Sequence, residues 1–92
     1  MNKILVTYDL NKPEQNHVTA LIFLKHFQHL QIANTVFIIE TKLSIGEFWS
    51  KLAQALDTKD DFYAFEITTE IKAHAPESTM ETIARLNGFP SS

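Results

Sequence analysis

The sequence predicts an α+β domain in which two helices cover one face of a four-stranded antiparallel sheet and a short helical tail follows. Three observations predict it. Strand-like and helix-like segments run in the order strand, helix, strand, strand, helix, strand. Apolar residues make up 45% of the chain and aromatics 11%, enough for a packed core. At 92 residues there is room for one such core.

The elements follow in order. Residues Lys3 to Tyr8 (Lys-Ile-Leu-Val-Thr-Tyr) are apolar or β-branched on both faces, which suits a central strand. Asn11-Lys12-Pro13-Glu14 then supplies a cap, a first-turn proline and an acid near the positive end of the helix dipole. The helix it opens carries Val18, Ala20, Leu21, Ile22, Phe23, Leu24, Phe27 and Leu30, a wide apolar sector that either fills a broad core or turns partly toward a partner chain. A short strand is expected from about His29, a turn at Asn34-Thr35, and a buried strand over Thr35 to Thr41. Ser44-Ile45-Gly46-Glu47 reads as a capping box, with Leu43 positioned to staple onto Phe48. Ile45, Phe48, Trp49, Leu52, Ala53 and Leu56 form one helical stripe, which places Trp49 in the core. Phe62 to Thr68 alternates as a last strand, with Tyr63, Phe65 and Ile67 on one face.

This order is the split βαβ, or ferredoxin-like, arrangement, and it assigns residues 1–70 to the domain and 71–92 to a C-terminal extension. In the extension, Ser78-Thr79-Met80-Glu81 is a second capping-box pattern opening a short helix that Gly88 closes. Two helices cover only one sheet face, and the other is apolar too. A homodimer through that open face is therefore expected, and the tail offers a surface for a protein partner.

Charge narrows the function. The chain carries net charge −3, and Arg85 is its single arginine beside seven lysines. A duplex binder usually carries a basic stripe, so this balance weakens any nucleic-acid reading, that of duplex DNA more than that of RNA. Without cysteine there is no disulfide framework, thiolate metal site or cysteine nucleophile. No apolar run reaches the roughly 18–20 residues of a membrane span, and Met1 to Leu5 leads into a strand rather than a signal peptide, so the chain reads as cytoplasmic. Two glycines in separate elements build no phosphate loop, and neither Ser44 nor Thr35 has a histidine partner at a motif spacing.

Asp9, at the end of the first strand, is the leading site residue. A lone carboxylate there either accepts amide hydrogen bonds in the turn or helps ligate magnesium, which takes only one or two protein carboxylates. Tyr8 and Asn11 are the neighbours placed to shape such a site. His26 and His29, three apart, read as helix-end or surface residues, with a ligand or base role as the alternative.

Tyr8-Asp9 after an apolar strand, Ala33-Asn34-Thr35-Val36-Phe37, Leu43-Ser44-Ile45-Gly46-Glu47-Phe48, and Asp61 before the last strand together resemble the small CRISPR-associated nuclease family, the lesser subunit of the spacer-integration complex. They resemble also related small ferredoxin-like proteins, including the virulence-associated D-type ribonucleases. The resemblance implies a homodimeric metal-dependent endonuclease in which Asp9 and its symmetry mate share one Mg2+. Some members of such families cut nucleic acid and others only scaffold. Here the first helix has Lys25 where relatives carry several arginines, and Glu70-Ile71-Lys72 is all that could form the extra strand many relatives pair with a partner.

Overall fold

The computed structural model describes residues 1–9, 13–56 and 60–88, with the side chains of 13–17 outside that description. Four strands and three helices follow in the order β1 (Asn2–Asp9), α1 (Pro13–Lys25), β2 (Gln28–Ala33), β3 (Val36–Thr41), α2 (Ile45–Gln54), β4 (Asp61–Glu66) and α3 (Glu77–Leu86). The sheet is antiparallel throughout with strand order β2-β3-β1-β4, so the most apolar strands, β1 and β3, lie at its centre.

Strand alternation sorts the side chains. Register pairs Ile4 with Ile39 and Val6 with Phe37, and all four are fully buried together with Ala20 and Leu24 of α1 and Phe48 and Leu52 of α2. These residues form the main core, so α1 and α2 cover the same face. Phe23, Phe27 and Phe48 pack there with ring centroids 5.3–5.9 Å apart. α2 starts where the sequence places it. Ser44 Oγ accepts from Glu47 N at 3.1 Å, and Glu47 Oε1 accepts from Ser44 N at 3.1 Å, closing the capping box. On α1, Ala20 and Leu24 are buried while Val18 and Ile22 stay more than half exposed, so its wide apolar sector exceeds what the sheet covers. The Asn11 cap lies outside the described residues.

The opposite face, for which the sequence expects cover from a partner chain, is covered in part by the chain's own tail, while Tyr63 and Phe65 on its β4 side stay 54% exposed. Lys3, Glu40 and Ile38 point to that side, and α3 lies across it: Arg85 Nη1 donates to both Glu40 oxygens at 3.0–3.1 Å, and Lys3 Nζ donates to the Leu86 carbonyl at 3.0 Å. Ile38 is only 2% exposed, and Ile83 and Leu86 are buried with it. A lysine at the last carbonyls also complements the negative end of the helix dipole. The tail thus supplies this face with cover from its own chain.

The Ser78/Glu81 capping box does not form. α3 begins earlier, with Pro76 as N-cap and no side-chain cap, because proline already fixes the entry and its carbonyl accepts from Met80 N at 3.0 Å. Its end is as expected: Gly88 takes φ +83°, and its N–H donates to the Arg85 carbonyl. Between β4 and α3 no strand forms. Asn87 instead clasps the Ile71 backbone, accepting from its N–H at 2.8 Å and donating to its carbonyl at 3.0 Å.

Candidate functional site

Asp9 ends β1 exposed, on the face opposite Tyr8. Register places its Cα directly across from that of Asp61, the first residue of β4, and Asp61 is exposed as well. Two carboxylates therefore share one face at one end of the sheet, with backbones about 5.5 Å apart for such a pair. Like charges directly opposite oppose folding, so this pair costs some stability. Among the described residues no group of three or more His, Asp or Glu converges as a metal cage.

Tyr8 turns away from Asp9. Its ring is buried on the helix-covered face, stacked on Phe62 with centroids 4.8 Å apart, and its hydroxyl donates to the Asn34 carbonyl at 3.3 Å. Burial pushes its phenol pKa above the ordinary value. Asn11 lies outside the described residues. α1 ends at Lys25, so His26 sits in the turn and His29 on β2, where its Nδ1 lies 2.8 Å from the Phe27 carbonyl and its ring 5.9 Å from Phe37.

A second feature escaped the sequence reading. β4 is an edge strand, and along its outer side a groove of about 440 Å³ opens toward α2, lined by Ile45, Gly46 and Trp49 on one wall and Phe62 to Phe65 on the other. Trp49 is 42% exposed and Tyr63 and Phe65 are 54% exposed each, so three of the largest apolar side chains flank one strand edge. Trp49 is not a core residue because the stripe of α2 is wider than the sheet beneath it: Phe48 and Leu52 take the buried positions and Trp49 falls beyond the edge of β4. The signal present in the sequence was the pairing of Tyr63 and Phe65 on one strand face.

The backbone at this edge is also defined. Ile67 N–H donates to the Lys3 carbonyl at 2.8 Å, which with the β1–β4 register turns the backbone of Tyr63 and Phe65 inward to β1. By alternation, Phe62, Ala64 and Glu66 direct N–H and C=O outward. No helix among the described residues is long and apolar enough to cross a membrane. No protein-family model matches the chain, and no curated protein matches it.

Proposed function

We propose that this chain is a non-catalytic interaction module, a ferredoxin-like domain that works as a scaffold by docking at the outer edge of β4. The element order through β4 and the central placement of β1 and β3 support the ferredoxin-like assignment. One observation carries the docking function: a regular strand edge whose outward backbone groups run beside Trp49, Tyr63 and Phe65. Added strands take affinity from such backbone groups and specificity from the flanking side chains. Charge weighs the same way. The net charge is −3, and the single arginine is paired with Glu40, neither of which favours gripping a phosphate backbone. A photo-crosslinking residue at Phe65 in living cells tests the reading. Protein adducts are expected from position 65 and none from Gln31 on the opposite edge; absence of any adduct at 65 overturns it.

The Asp9–Asp61 pair favours a second reading, a magnesium-dependent phosphodiesterase acting on RNA, which the resemblance to the CRISPR-associated and D-type nucleases also supports. Asp9 and Asp61 fit the one or two carboxylates a hydrated magnesium ion takes from protein, and they would hold it without a carboxylate from a second subunit. When bound, the ion supplies charge stabilisation to the phosphodiester transition state. On this reading Asp9→Ala and Asp61→Ala each abolish magnesium-dependent cleavage of single-stranded RNA by the purified chain. Cleavage undiminished in Asp9→Ala removes this reading.

A further inference from the structure

We infer that the partner at the β4 edge is a second copy of this chain, joined strand to antiparallel strand with Ala64 on the twofold axis. The inference deepens the docking function and rests on it.

Its starting point is the parity of the edge. A twofold axis normal to the sheet keeps the two helical layers on one side, so residues facing each other across the seam must share a sheet face. The outward backbone groups belong to Phe62, Ala64 and Glu66. With Ala64 on the axis, Ala64 faces itself, and Phe62 faces the partner's Glu66. These are the positions that exchange both N–H···O bonds in an antiparallel ladder. The same register sets Tyr63 opposite the partner's Phe65 at the closely spaced, non-hydrogen-bonded positions, twice over. Aromatic cross-strand pairs at such positions stabilise sheets. Half-exposed rings on the monomer thus become two ring pairs in the dimer.

Charge selects among registers. Moving the axis to Tyr63 would set Glu66 opposite the partner's Asp60 at both ends of the seam, a like-charge opposition that the Ala64 register avoids. On the helical side, the two α2 helices flank the seam, and Trp49 stands on each side to close it.

The area suits a reversible dimer. Trp49, Tyr63 and Phe65, each about half exposed, present about 300 Å² per chain, or about 600 Å² in the pair. Stable interfaces bury about 1,200–2,000 Å² in total, so the rings supply a third to a half and two paired strands add the rest. The dimer is therefore expected to be reversible and concentration-dependent.

Sedimentation equilibrium on the wild-type chain and three variants tests this. Wild type is expected to form a dimer. Tyr63→Lys with Phe65→Lys sets lysine against lysine twice and should weaken it by about 100-fold or more. Tyr63→Lys with Phe65→Glu sets lysine against glutamate twice and should recover most of the association, whereas an axis at Tyr63 would set lysine on lysine. Phe65→Ser, which adds no charge, should weaken the dimer by about 10-fold and reads the same contact if the double-lysine chain does not fold. A wild type that stays monomeric at hundreds of micromolar overturns the self-pairing, as does a double-lysine chain that folds and associates like wild type. A charge pair that fails to restore the dimer overturns the register. A monomeric wild type that still crosslinks from position 65 to a different protein overturns self-pairing while leaving the docking function standing; loss of crosslinking at 65 removes the docking function itself.

Discussion

β2 and β4 are the two edges of one sheet, yet they end it differently. Along β2, Gln28, His29 and Gln31 are exposed and polar, and the register shifts between Gln31 and Ala33, leaving Ile32 as the unpaired extra residue of a bulge. Along β4, six residues stay in unbroken register with β1, and the exposed positions include two aromatic rings beside an apolar groove. Sheets in natural proteins blunt their edges with bulges and polar residues to prevent adventitious pairing. β2 carries both devices. β4 carries neither along its central residues, and this contrast supports the docking proposed at its edge.

If that contrast is right, the two edges should respond unequally to substitution. The largest effect is expected at Phe48, which anchors α2 and so holds the wall of the β4 groove. Phe48→Ala should cost about 3–5 kcal/mol of stability in urea unfolding, with loss of association through β4. A cost below about 1 kcal/mol would mean that α2 is not anchored through this ring. Next comes the segment that leaves β4. Asn87→Ala removes both bonds to the Ile71 backbone and should cost about 1–3 kcal/mol, with faster exchange of the Ile71 amide. Unchanged exchange would show that 67–76 is held by other contacts.

Smaller effects sharpen the comparison. Ser44→Ala should lower the melting free energy by about 1 kcal/mol, because it removes one half of the capping box that starts the groove-lining helix. The same box has a pH signature. Hydrogen bonds from Ser44 hold the Glu47 carboxyl below the usual carboxylate range, so its contribution is present at neutral pH and disappears as pH falls through the lowered folded value. Wild type should therefore lose more stability on acidification than Glu47→Gln, measured by thermal unfolding over an acid series. The smallest effect is expected at the blunted edge. Gln31→Lys should change stability by less than about 0.5 kcal/mol and leave self-association untouched.

Much of the fold was legible because local signals and burial agree there. The Ser44–Glu47 box, the apolar runs of β1 and β3 and the Gly88 stop each report a backbone requirement that tertiary context does not alter. What was not legible depends on how wide one element is relative to another. Trp49 sits in a regular helical stripe, and only the width of the sheet places it beyond the edge. The tail reads as an extension in the sequence because nothing in Ser78 to Asn87 announces that Arg85 and Lys3 bind it across the sheet. Likewise, Asp61 was seen before the last strand, but its opposition to Asp9 follows from register, which sequence spacing alone does not set. The position of Asp9 at a strand end was legible, and Tyr8 turns away from it because successive side chains of a strand point to opposite faces.

Backbone amide exchange at two protein concentrations tests the central claim most directly. The outward amides of Phe62, Ala64 and Glu66 on β4 should exchange rapidly when the protein is dilute and become protected as concentration rises. The outward amides of His29 and Gln31 on β2 should remain rapid at both. Protection that rises at β4 alone is the expected result. Exchange at Phe62, Ala64 and Glu66 that is independent of concentration, or protection appearing at His29 and Gln31 instead, would contradict the account.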